Sequence, residues 1–185
     1  STLLACLAGL DEPDGGTVTV LGERMTRRPE PVRARLRACH LGMLMQSGNL
    51  FEHLTVRANI RLQMQISGRD KPDEIDGLLG SLGIEELAEA LPGRLSGGEA
   101  ARAGLAVALA AKPAILFCDE PTAEVDAATE QGVIDRLIEL CHGGTAVLVV
   151  THSSALAARA DRIVDIRDGR IVHDESLDQV PRPRP

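Results

Sequence analysis

The chain has 185 residues, of which 44% are hydrophobic, so it can bury a core of ordinary single-domain size, and intrinsic disorder is excluded. Its net charge of −7, with acidic and basic residues interspersed, argues against a dedicated nucleic-acid surface and for a soluble acidic protein. No apolar stretch approaches the roughly 20 residues that cross a bilayer, and no charged-then-apolar leader is present, so a membrane role has to come through a partner.

Residues 1–9 read as the body of a helix already under way, with Leu3, Leu4 and Leu7 at helical spacing and no capping sequence ahead of them. The turn residues Asp11-Glu12-Pro13-Asp14-Gly15-Gly16 lead to a short β-branched strand over 17–21, and 26–31 is a polar connector. A short arginine-bearing helix is expected over 32–38. The apolar strand Leu41-Gly42-Met43-Leu44-Met45 follows and meets a loop at Gln46. Residues 54–109 are mainly helical, in pieces near 56–66, 72–82 and 85–90 and then a long helix beginning at Ser96. The remainder alternates: strand 114–118, helix 127–141, strand 145–150, helix 154–160, strand 162–167, and a turn at Asp168-Gly169 before Ile171-Val172.

Strands alternating with helices imply a mostly parallel sheet covered on both faces. Val133, Ile134, Leu137, Ile138 and Cys141 give the helix over 127–141 one apolar stripe to lay against that sheet. The organisation is thus one α/β domain over 1–185, with a helical layer at about 47–109 and a Pro-Arg tail at 181–185 that cannot build regular structure. With two Phe and neither Trp nor Tyr, aliphatic side chains must fill the core and stacking platforms for bases are scarce. Cys6, Cys39, Cys118 and Cys141 lack metal-like spacing and read as reduced core thiols of a cytosolic protein.

Two segments carry most of the chemistry. Ile115-Leu116-Phe117-Cys118-Asp119-Glu120-Pro121 is a short apolar run ending in two carboxylates, the look of a buried parallel strand whose tip holds Mg²⁺ and polarises a water. Asp119 is placed for the metal, and Glu120, turned the other way by the strand's alternation, for orienting the water. An ordinary solvated turn explains the pair poorly, because it ends an apolar run and Pro121 stops it at once. The other segment is Leu95-Ser96-Gly97-Gly98-Glu99. Its glycines let the backbone approach an oxyanion, and Ser96 caps the helix and offers a hydroxyl. A plain helix start explains Ser-Gly-Gly about as well. His152 follows another apolar strand and is either structural or a functional group at the same sheet edge as Gln46, Asp119 and Glu120. Thr122 and Asp126 are either a helix cap or part of the site.

These residues resemble the nucleotide-binding subunits of ABC transporters, a family of P-loop NTPase-like fold with a helical subdomain inserted in the parallel sheet. Leu95–Glu99 looks like the signature motif, 115–120 like Walker B with its catalytic glutamate, Gln46 like the Q-loop, 122–126 like the D-loop and His152 like the switch histidine. The segment 36–60 looks more like the lipoprotein-release and macrolide-export branch than like sugar importers. The resemblance implies ATP and Mg²⁺ as ligands. It makes Glu120 and His152 the catalytic residues, gives Asp119, Ser1 and Gln46 to the metal, and gives Ser1, Thr2, Gln46, Ser96, Gly97, Gly98, Glu99 and Asp126 to the nucleotide. It further implies a head-to-tail homodimer, a transmembrane permease partner and a place at the inner face of the membrane.

Departures from the family pattern are also legible. G-x-x-x-x-G-K-[ST] is absent, while Ser1-Thr2-Leu3-Leu4 looks like its last residues and the helix behind it, so the chain reads as truncated within Walker A, its first strands missing. On that reading the isolated chain binds ATP very weakly and hydrolyses essentially none, since the backbone donors and Lys of the phosphate cradle are lost. Ala100-Ala101, Ala123-Glu124-Val125-Asp126 and Ser153 differ from the commonest family residues without disturbing the chemistry. Two alternatives remain beside the transporter ATPase: a cassette used outside membranes, which long coiled-coil insertions or a second cassette would favour, and a catalytically dead fragment.

Overall fold

The computed structural model describes residues 1–123 and 127–177, which fall into two compact units, 1–150 and 151–185. In the first unit, helix α1 (Thr2–Leu7) is followed by the antiparallel pair β1 (Thr19–Val20) and β2 (Glu23–Arg24). Helix α2 (Glu30–His40) leads directly into β3 (Leu41–Leu44). The helical layer holds α3 (Val56–Ile66), α4 (Ile75–Ser81) and α5 (Gly97–Leu109), with short 3₁₀ turns at Pro72–Glu74, Glu85–Leu87 and Pro92–Arg94 between them. Strand β4 (Ile115–Asp119), helix α6 (Ala127–His142) and β5 (Ala146–Val150) complete the unit.

Strands β3, β4 and β5 form a parallel three-stranded sheet in that order, with Leu41 opposite Ile115 and Asp119 opposite Val150. Central β4 is a continuous apolar run because a strand with neighbours on both sides and helices over its faces has no solvent side. One core cluster joins Leu4 and Ala8 of α1, Val20, Met25, Leu36 of α2, Leu41 and Phe117. Val133, Ile134 and Leu137 of α6 are buried, as their apolar stripe predicts. Cover on both faces does not extend to β5, whose Ala146 and Leu148 are exposed. This strand has one pairing partner among the described residues.

Helix α5 lies unusually close to β3. A Cβ on Gly42 would fall 2.5 Å from the Ala108 carbonyl oxygen, and one on Gly104 would fall 2.9 Å from Asn49 Cβ and 3.2 Å from Leu44 Cδ1. Only hydrogen fits at these two points of the seam.

The second unit contains α7 (Ser154–Ala157) and the antiparallel hairpin β6 (Arg162–Arg167) and β7 (Arg170–Ser176). Among the described residues the strand at 162–167 pairs antiparallel with β7. Asp168-Gly169, with φ of +50° and +70°, is a two-residue connection, which folds a strand back on itself and is too short for the crossover a parallel pair needs. Arg162 donates to both carboxylate oxygens of Asp174 across the hairpin, at 2.8 and 2.7 Å. The tail 181–185 lies outside the described residues. Among the cysteines Cys118 is buried, and burial pushes its thiol pKa up. Cys6 and Cys141 are half-buried, while Cys39 is exposed rather than in the core, on the outer side of α2.

Candidate functional site

Because β3 and β4 are parallel neighbours, their carboxyl ends reach the same edge of the sheet, where α/β folds gather functional groups. Gln46, exposed, stands just past the end of β3, and Asp119 is the last residue of β4. Asp119 is only 4% exposed, and its Oδ1 is buried with no hydrogen-bond partner among the described residues. A buried acceptor left unpaired costs on the order of 1–3 kcal/mol, so this oxygen is available to a water or to a ligand.

That ligand fits a small hard cation. The described residues contain no cluster of three or more His, Cys, Asp or Glu side chains that could cage a metal alone. One carboxylate at a strand tip suits Mg²⁺, which keeps several waters and takes the rest of its shell from substrate phosphates, and does not suit a zinc site.

Glu120 follows in the left-handed region, with φ of +49°. Its N–H donates to the Val150 carbonyl at 2.9 Å, and its own carbonyl accepts from Ala123 N at 3.2 Å. The two carboxylates are thus not separated by strand alternation, as the sequence suggests. The strand has ended at Asp119, and the left-handed turn of the backbone at Glu120, pinned to β5 through the Val150 carbonyl, breaks the alternation.

Helix α5 begins with a complete capping box. Ser96 N and Ser96 Oγ each donate to Glu99 Oε2 at 2.8 Å, and Glu99 N donates to Ser96 Oγ at 3.4 Å. Both bonds from Ser96 hold the Glu99 carboxyl below the usual carboxylate range. Glu99 therefore has a structural task whatever else it does, while the first-turn amides of Gly97 and Gly98 belong to the donor-rich end of the helix.

A cavity of about 590 Å³ joins these pieces: Gln46 from the β3 loop, Glu120 and Pro121 from the β4 tip, Gly97 and Ala100 from the start of α5, and Arg94 from the 3₁₀ turn before it. Of the residues expected from sequence, Gln46, Gly97 and Glu120 line this cavity. Ser96, Gly98 and Glu99 are the neighbours of Gly97 on its helix end. Ser1 and Thr2, both exposed, begin α1, the helix that packs through Leu4 on the same core as Phe117 of β4. Thr122 is buried, and Asp126 lies outside the described residues. His152 belongs to the second unit, beyond the end of β5. Two residues escape sequence reading, Asn49 and Asn59, whose side-chain amides hold the 45–55 loop. Asn59 could have been noticed as an amide at a buried helical position between Val56 and Ile60.

A parallel sheet with a buried carboxylate at its tip, and beside it a glutamate that shares a cavity with a capped, glycine-opened helix, is the arrangement of an α/β nucleotide hydrolase. The ABC transporter family matches residues 1–123. The chain is 39% identical over 175 residues to the uncharacterized ABC transporter ATP-binding protein YbbA of Escherichia coli, covering 92% of this chain and 77% of that one. It is 40% identical over 179 residues to the lipoprotein-releasing system ATP-binding protein LolD of Paramagnetospirillum magneticum, covering 93% and 78%. It is 36% identical over 182 residues to the macrolide export ATP-binding/permease protein MacB of Chlorobium luteolum, covering 97% of this chain and 27% of that one. A dimeric ATP-binding cassette in a post-hydrolysis state with ADP and Pi superposes with a TM-score of 0.89 at 27% identity, over 97% of this chain and 81% of that one. The chain belongs to the ABC transporter family as an ATP-binding subunit, a family that binds and hydrolyses ATP to drive transport.

Proposed function

We propose that this chain is the ATPase of an exporter related to the lipoprotein-release and macrolide-export systems, working as a head-to-tail pair against a transmembrane permease. The observation that carries the site reading is the buried Oδ1 of Asp119, without a partner among the described residues, beside the left-handed Glu120. Asp119 would hold Mg²⁺, with Gln46 and Ser1 as further contacts, and the ion would neutralise charge on the β- and γ-phosphates.

Glu120 orients water and takes its proton as the water oxygen bonds to the γ-phosphorus and the bridging bond to ADP breaks. His152 supports the same step. Thr2, at the helix start, and Asp126 add contacts to the nucleotide, while Ser96, Gly97, Gly98 and Glu99 serve the nucleotide bound by the second subunit. The dimer of the similar cassette supports the pairing, and LolD and MacB support an export role.

No described helix is long and apolar enough to cross a membrane, so contact with the bilayer would run through the permease. Exposed Phe51 and Leu91 flank the cavity and suit such a partner.

Glu120→Gln in the full-length protein tests the assignment. Hydrolysis falls by about 100-fold or more while ATP binding persists. Equal turnover by the variant would remove Glu120 from this role.

A further inference from the structure

The loop that carries Gln46 is held at both ends by asparagine side chains. At its far end Asn59 of α3, 3% exposed, accepts from Phe51 N at 2.8 Å. It donates to the carbonyls of Phe51, Leu54 and Thr55 at 3.2, 3.1 and 3.0 Å. At its near end Asn49 makes a reciprocal pair with Met45: Oδ1 accepts from Met45 N at 2.8 Å and Nδ2 donates to Met45 O at 2.7 Å. Met45 lies just beyond the last residue of β3, so its backbone groups are satisfied by this amide where the ladder has stopped. Gln46 is the next residue, on the exposed rim of the turn so closed. Behind Asn49 stands α5, where the bare Cα of Gly104 leaves the notch that Asn49 Cβ occupies.

We propose that Asn49 is a positioning residue for Gln46, locking the 45–49 turn through Met45 and seating it on Gly104. The carboxamide offered to the nucleotide and the glycine-opened end of α5 thereby keep a fixed relation. This rests on the reading of Gln46 as a nucleotide-site residue. A loop group displaced by an ångström can lose up to about 100-fold in rate, so a clamp one residue away is worth a measurable share of turnover.

A double-mutant cycle on kcat in the full-length protein tests it. Asn49→Ala lowers kcat by about 10-fold, and Asn49→Asp, which keeps the acceptor for Met45 N and loses the donor to Met45 O, falls between that variant and the wild type. In a Gln46→Ala background, Asn49→Ala adds no further loss, because it acts only through Gln46. The same loss in both backgrounds would mean a merely structural role and overturn the proposal, as would normal kcat in Asn49→Ala when Gln46→Ala is impaired. Unchanged hydrolysis in Gln46→Ala would overturn the site reading and the proposal with it. If Asn49→Ala does not fold, Gly104→Ala takes its place under the same criteria, since its new methyl displaces Asn49 without altering the amide.

Discussion

Glu120 occupies backbone that a glutamate adopts only when its surroundings impose it. A left-handed non-glycine residue costs on the order of 1–2 kcal/mol, and here the bond to Val150 holds it there against the extended backbone that the following Pro121 favours. Strain at the carboxylate read as the water-orienting group has a direct consequence. Glu120→Gly loses hydrolysis yet gains up to about 1 kcal/mol in urea unfolding, part of the relieved strain being offset by the freer unfolded chain. Stability equal to or below that of the wild type would show that the backbone there is not strained.

Glu99 makes a second prediction at this scale. Its carboxyl is held below its ordinary value of 4.5 by bonds from Ser96, so what it contributes to stability is fully present above that value. The contribution is lost as pH falls through the lowered pKa. Stability measured by chemical unfolding therefore declines below about pH 4.5 less steeply in Glu99→Gln than in the wild type. Identical slopes would remove the capping box as the source.

At the level of elements, the seam between α5 and β3 leaves no room for a side chain at Gly42 or Gly104. Gly42→Ala drives a methyl into the Ala108 carbonyl oxygen and is expected to cost about 1–3 kcal/mol in denaturant unfolding, as overpacked cores do. Elements with local signals were legible in the sequence. Helix α3 has Thr55 as its cap, accepting from Ala58 N at 3.2 Å, and α5 has the Ser96-x-x-Glu99 box, so both were readable with their starts. The carboxylates at the tip of β4 stood out because a buried strand reads as an unbroken apolar run. What stayed hidden depends on tertiary partners. The tiny strands β1 and β2 exist only through each other. Asn49 bonds the backbone of Met45 in an irregular turn, where no helical spacing announces it.

Over the whole molecule, the proposed pairing makes nucleotide and subunit association one equilibrium. Ligand that binds the paired form better than the single chain drives association by mass action. Full-length Glu120→Gln with ATP is thus expected to sediment as a dimer, and to return to the single-chain value when EDTA removes the metal. A sedimentation profile indifferent to ATP would contradict a nucleotide shared between subunits.

The near absence of aromatic residues, which first appears as a constraint on core packing, also makes the protein optically silent. With Phe117 buried in β4, Phe51 57% exposed at the cavity rim and no Trp or Tyr anywhere in the chain, nothing in it fluoresces appreciably under long-wavelength ultraviolet light. A Trp introduced at Phe51, whose backbone Asn59 already holds in place, would be the sole emitter of the chain. Its colour would follow, without background, the wetting and covering of the loop that carries Gln46.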